Sequence, residues 1–432
     1  MAQAQTGLEP KSKSEPHEAG KQNKKPKRAI VLGGGGPVAG LHIGVLKQLE
    51  EQGIKFDVWA LSCIGAWVGI VYNTREGDKK ADETYKFFHD NVFRDDRTYK
   101  TFPINRVFGP DWQTNGMAAL AKLSALASPF GWPMLTPTWA QLDESWVHTQ
   151  ALFSNPSRWT LGDFNEWVLN DVLAVNPVAR FLSSMMYLSP LNGLSKIYYE
   201  DSNFLQSLHI EKLRENPACI YHNAWDLTKQ DLKLFSNQKR PGRDYGDITP
   251  ASLCACSALP FVESTVTLPD QHTYCEGALD NTVNFRNLLE DHFDCDEIWI
   301  SRIVDHHQVR EPMDLHDSLG NLCQLFAATV GDDDVKLFKY HLQCDEVNPL
   351  DEEGVHQGDR PWRGIVVEIP VSAQVSFRWS RGNLEAGCAH GKEETSKICN
   401  SYHELRKEIK NKTIEPGPIW LSKDGPKRLP RA

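Results

Sequence analysis

The chain has 432 residues, 40% of them hydrophobic and 24% charged, with a formal net charge of −10. That length allows one large core or two ordinary ones, and no apolar run approaches the roughly 20 residues that span a bilayer. The acidic balance argues against nucleic acid as a partner, and the ten scattered cysteines lack the spacing of a zinc site, so neither metal nor other cofactor is expected.

Residues 1–27 carry basic residues without aromatics and have the composition of a disordered tail. Counted through Arg28, the tail holds seven Lys or Arg against three Glu, which leaves the rest of the chain at −14. The first 28 residues hold no apolar stretch of the secretory kind, so the expectation is a cytoplasmic protein with free thiols. Cys219, Cys254 and Cys295 read as small core residues.

Order is expected from Arg28, in a short apolar strand ending at Leu32. Gly33 to Gly36 follow, then a helix from about Gly40 to Gln52. A second strand, Val58 to Leu61, leads through a sharp turn into a helix over 64–72. Strand, glycine loop, helix, strand, turn, helix is the order of a parallel sheet with helices on its faces. The first part of that domain is set at 28–77. From 78 to 212 the pattern becomes helical and proline-broken, with six tryptophans: Trp112, Trp132, Trp139, Trp146, Trp159 and Trp167. Strand character returns over Ala218–Trp225, Leu232–Ser236, Glu297–Val304 and Gly364–Val371. The domain therefore resumes over 213–405, and 406–432 reads as a peripheral basic extension.

Three separated features converge on one chemistry. The loop Gly34-Gly35-Gly36 can bring backbone N–H groups close to a substrate, as an oxyanion hole requires. A phosphate loop is its rival, but the completing Lys-Ser/Thr is missing. The turn Leu61-Ser62-Cys63-Ile64-Gly65 would present Cys63 at a helix N-terminus, where free N–H groups favour developing negative charge. Ser62, one residue early, should point away from the cleft. The third feature is Glu276, in a glycine turn after a hairpin over Ser264–Tyr274.

These runs resemble the patatin-like phospholipase family, whose pattern has a G-G-G-x-R/K-G loop, a G-x-S-x-G elbow and a D-G-G/A acid. The corresponding segments here are Gly34-Gly35-Gly36-Pro37-Val38-Ala39, Leu61-Ser62-Cys63-Ile64-Gly65 and Glu276-Gly277-Ala278. Leu41 to Leu46, Gly65 to Gly69 and Ala255 to Phe261 agree as well. The matched blocks lie in about 30–70 and 250–304. The resemblance implies a three-layer α/β/α fold with a mainly parallel central sheet and a large helical insertion. It also implies a two-residue dyad in which the acid acts as base to the nucleophile. Each key position departs from the pattern: Ser becomes Cys63, Asp becomes Glu276, the first elbow Gly becomes Leu61, and the loop cation becomes Val38.

Carried over, Glu276 would take the Cys63 proton as sulfur attacks a carbonyl, giving an acyl-thioester. Gly34, Gly35 and Gly36 would hold the oxyanion. Val38 cannot pair with phosphate, so a neutral fatty acyl ester or thioester is the expected substrate. A carrier protein or a peripheral lipid surface is a further possible partner. Arg75, Arg94 or Arg106 could replace the missing cation only if the fold brings one to the loop. A helper histidine remains open between His222 and His306, and His42 reads as packing. The Trp-rich insertion, including Phe130 to Leu135, reads as a helical cap that also walls an acyl pocket. A non-catalytic lipid- or partner-binding protein on the same fold is the competing reading.

Overall fold

The computed structural model describes residues 25–126, 136–156, 160–187, 191–197, 202–292, 294–343, 362–370, 375–414 and 417–430. Most of the basic tail and the run Phe130 to Leu135, with Trp132 and Trp159, lie outside them.

The central sheet is built from β1 (Arg28–Leu32), β2 (Val58–Leu61), β3 (Cys219–Asp226), β4 (Asp231–Ser236), β5 (Thr273–Glu276), β6 (Glu297–Ser301), β7 (Ile365–Ile369) and β8 (Ile419–Ser422). Strands β8-β7-β6-β1-β2-β3 lie side by side in that order, all parallel. Their runs are apolar on both faces, as buried parallel strands must be. Ile30 and Leu32 join one core cluster while Ala29 and Val31 join another, because successive side chains alternate across the sheet. Helices α1 (Ala39–Glu51), α2 (Ile64–Thr74), α3 (Pro250–Ser257) and the long α5 (Arg381–Lys410) cover the first face. Helix α4 (Leu315–Gln343) covers the other through Val335, Phe338 and Leu342. The result is the expected three-layer arrangement.

Two boundaries differ from the sequence reading. The helix Lys80–Asn91 buries Ala81, Thr84, Phe87 and Phe88 and belongs to the main core rather than to the insertion. The C-terminal stretch is not peripheral: Ile419, Trp420 and Leu421 are buried in β8, which extends the parallel sheet beside β7. Its three-residue apolar core is too short to stand out among the flanking Lys, Pro and Gly.

The pairing around β3 positions the site. Strand β2 pairs with its first half, Leu61 lying opposite His222. Strand β5 pairs antiparallel with its second half, Glu276 lying opposite Ala224. Strand β4 occupies the other edge over Tyr221–Asp226. The ends of β2 and β5 therefore meet head-on along one edge of β3, which brings residues more than 200 positions apart together.

Candidate active site

Cys63 stands at the turn between β2 and α2 with φ 46° and ψ −122°. A non-glycine residue at positive φ stores backbone strain on the order of 1–3 kcal/mol and persists only where its surroundings enforce it. Here the turn is fixed by Ser62 N–H donating to Leu32 O at 3.1 Å and Gly65 N–H donating to Ser62 O at 2.9 Å. Gly65 has no substitute: a Cβ there would stand 2.2 Å from the Leu32 carbonyl oxygen. The Cys63 N–H donates to Cys256 Sγ at 3.2 Å.

The Glu276 carboxyl group and the Gly35 N–H both bear on the Cys63 thiol, the first opposing its ionisation and the second favouring it. Cys63 and Glu276 are both buried, at 8% and 7% exposure. Burial, and then the Glu276 carboxylate, push the Cys63 thiol well above its usual range. Burial also raises Glu276, to about 7, against the opposing pull of the thiol. The helix N-terminus and the Gly35 amide thus lose to desolvation, and the resting pair is a neutral thiol facing an acid poised near neutrality.

Two amides of the glycine loop are already engaged by backbone carbonyls. Gly34 N–H already donates to Thr282 O at 3.2 Å, and Gly33 N–H to Ser301 O at 3.1 Å. The Gly35 amide is the one of the loop that bears on the Cys63 sulfur. His42 braces the loop from beneath, with Nδ1 2.8 Å from Ser301 Oγ and Nε2 2.9 Å from Gly33 O. It is fully buried, which holds it down to about 4.

Ser62 points away from the cleft. Its Oγ donates toward Asn223 Oδ1 at 3.0 Å and lies 3.2 Å from Asn281 O. Asn223 Nδ2 donates to the same Asn281 carbonyl at 2.8 Å, and Asn284 Nδ2 to Leu61 O at 3.1 Å. This network ties the elbow to the turn that carries Glu276.

Both candidate histidines are engaged elsewhere. His222 Nε2 is 3.0 Å from Ser252 Oγ and its ring stacks on Phe235. His306 is exposed and lies 3.3 Å from Asp332. The replacement cations are engaged elsewhere: Arg75 over Phe87, Arg94 on Ile104 O, and Arg106 on Asp90 O. His316, grouped with Asp314 and Asp317, meets Tyr99 OH, while Asp317 pairs with Arg378.

Three residues at the site escaped the sequence reading. Glu263 is buried and is raised by burial and by its neighbour Glu276. Cys256 supplies the sulfur that accepts the Cys63 amide. Arg302, just past β6, approaches the glycine loop but pairs with Asp305 and Asp332. The carboxylate inside the apolar run Phe261-Val262-Glu263 was the one available signal.

Glycine loop, elbow and acidic turn, in this order on a parallel sheet, agree with a match to the family model described as patatin-like phospholipase over residues 30–289. The chain belongs to the patatin-like phospholipase family. Among patatin-like proteins it is similar to the human patatin-like phospholipase domain-containing protein 6, with 50% identity over 44 residues. It is also similar to lysophospholipase NTE1 of Coccidioides immitis, with 47% identity over 49 residues. These segments make up 10% and 11% of this chain and 3% of each relative, so only a small part of those larger proteins is represented. Among solved structures, VipD from Legionella pneumophila aligns with 88% of this chain and 67% of its own, at 11% identity and a TM-score of 0.35. Human GIVD cytosolic phospholipase A2 aligns with 78% and 32%, at 11% identity and a TM-score of 0.20.

Proposed function

We propose that this patatin-like chain is an acyl hydrolase or acyltransferase acting on a hydrophobic acyl ester or thioester through Cys63 and Glu276. The observation that carries the reading is the juxtaposition of the buried Cys63 thiol and the buried Glu276 carboxyl group, which interact electrostatically, beside the Gly35 amide. Sulfur attacks the acyl carbonyl while Glu276, as carboxylate, takes the thiol proton. The amides of Gly35 and Gly36 hold the oxyanion. Collapse breaks the bond to the leaving group, which receives the proton from Glu276, and an acyl-thioester remains on Cys63. Glu276 then deprotonates water or another acceptor, whose attack releases the acyl product and returns the proton to sulfur.

An acyl-thioester is a good donor to amines and thiols, so transfer competes with hydrolysis. Val38, buried where the family has a cation, supports a neutral substrate over a phosphorylated one. An acidic carrier protein would meet a chain of like charge, which favours a free acyl compound. The setting is taken as cytoplasmic.

Intact mass measurement after incubation with a panel of acyl esters and thioesters tests the reading. An adduct on Cys63 that is absent from Cys63→Ala, together with loss of turnover in that variant, is expected. Turnover retained by Cys63→Ala rejects the assignment. The closed, fully protonated state of the thiol supports a second reading, a binding protein that holds fatty acyl compounds without reacting. That reading requires saturable binding with no adduct at Cys63.

A further inference from the structure

The insertion between the two halves of the patatin-like domain is built inside out. Its helices run over Met117–Leu126, Trp139–Ser154, Leu161–Trp167 and Pro177–Tyr187. Among the described residues from Met117 to Tyr187, the buried ones are Ala118, Ser145 and Ser184. All three are small. The large apolar side chains instead face outward on several helices: Trp139 is 87% exposed, Leu161 90% and Val178 66%. Within Pro177–Tyr187 the outward residues Val178, Leu182 and Met186 form one i, i+4, i+8 stripe.

The inner contacts combine hydrogen bonds with one aromatic cluster, in which Trp167 meets Phe153 and Phe164 at 5.5 Å each. Ser145 Oγ donates to Asp171 O at 2.7 Å, and Trp167 Nε1 to Thr149 Oγ1 at 2.8 Å. In water this arrangement has a weak driving force, because much of the large apolar surface that should be removed from solvent remains in it. Small residues and hydrogen bonds between helices, with apolar side chains outside, are the pattern of helices whose solvent is hydrocarbon. No helix among the described residues is long and apolar enough to cross a membrane. The helices therefore suit lying in an interface rather than spanning it.

We infer that this helical unit is an interfacial anchor, seated in the hydrocarbon boundary of an electrically neutral lipid layer. Charge selects the kind of lipid. Residues 117–187 hold five acidic residues against Lys122, Arg158 and Arg180, so the unit lacks the basic face that draws amphipathic helices to anionic lipid. The attachment point gives the anchor its use. The strand Gly193–Ser195, at the return of the insertion, pairs with Phe261–Glu263, and Glu263 is the buried neighbour of Glu276. Seating the unit in lipid brings the wall of the acyl site to the source of acyl chains. That purpose rests on the proposed function; the anchoring itself does not.

The test is co-sedimentation of the full chain with phosphatidylcholine vesicles, compared with a triple variant Trp139→Gln, Leu161→Gln and Val178→Gln. The wild type should sediment, and the variant should bind roughly tenfold less or weaker, with an unchanged circular dichroism spectrum. Adding phosphatidylserine or salt should change wild-type binding by less than about twofold. The inference is overturned if the wild type stays in the supernatant, or if the variant binds equally well. It is also overturned if binding requires phosphatidylserine and disappears in salt, which assigns it to the basic N-terminal residues. A lipid-free dimer that the triple variant dissolves, seen by sedimentation equilibrium, overturns it in favour of a second copy of the chain. Labelling of Cys63 by a soluble thioester, run in parallel, should be the same in both proteins. Failure of labelling with binding intact removes the acyl-transfer reading and leaves the anchor standing.

Discussion

Gly34 and Cys63 approach so closely that a Cβ built on Gly34 would stand 3.3 Å from Cys63 Cβ, and 3.1 Å from Ala278 Cβ on the other side. Both neighbours are short side chains fixed to backbone, so neither can swing aside. Gly34→Val should therefore displace the elbow from the acidic turn. The expected outcome is loss of Cys63 acylation by at least tenfold and destabilisation by about 1–3 kcal/mol, measured by intact mass and by denaturant unfolding.

The rate of Cys63 acylation should rise with pH through about 7, where Glu276 becomes the carboxylate that accepts the thiol proton. Glu276→Gln should lower the rate by roughly 10²–10⁴-fold and erase that inflection. A pH–rate profile that keeps the inflection in the variant assigns it to another group.

Stability should move the opposite way. Burial raises Glu276 in the folded chain to about 7, while the unfolded chain loses that proton near 4.3, at about the ordinary value. Between these values folding takes up a proton, so the contribution of this group is present at low pH and is lost as pH rises toward 7. Glu276→Gln should match the wild type near pH 4 and exceed it at pH 8 by up to roughly 3 kcal/mol. Equal unfolding midpoints at both pH values would remove the buried acid from the account.

Alkylation of Cys63 by iodoacetamide at neutral pH should be slower than that of an exposed thiol. Burial and Glu276 both oppose the thiolate. Its rate should keep climbing beyond about 8.5, where a free thiol would level off. Fast labelling at pH 7, located at Cys63 by peptide mapping, contradicts the closed site.

Ser62→Ala should retain turnover, because its hydroxyl is turned to Asn223 and Asn281 rather than to substrate. It should nevertheless cost about 1–2 kcal/mol in unfolding free energy, since Asn223 Oδ1 loses a buried donor. Abolished turnover with normal stability would make Ser62, not Cys63, the nucleophile.

The N-terminal half of the site was legible because its signals are local. Arg28 to Leu32 and Val58 to Leu61 are apolar runs ended by glycines or a turn, and Cys63 sits at the turn itself. Glu276 was legible through its glycine turn. Glu263, Cys256 and the Asn223–Ser62–Asn284 network were not, because they depend on which residues of β3 and α3 face the elbow. That is fixed by the register of strands more than 150 residues apart, and no short window of sequence holds it. The inverted insertion was misread for a related reason. Trp139 and Trp146 look like core residues in sequence, and only the fold reveals that they are exposed.

Because β2 and β5 abut along one edge of β3, the spacing of Cys63 and Glu276 is written into the length of a third strand that carries neither group. Residues added at an exposed connection between β2 and β3 leave that strand length unchanged. One extra residue between His222 and Ala224 would slide the acid by about 3.3 Å and turn it to the opposite face. The tolerance of this protein to lengthening is thus set at Asn223, the one residue between those two pairings, rather than by the chain that separates sulfur from carboxyl.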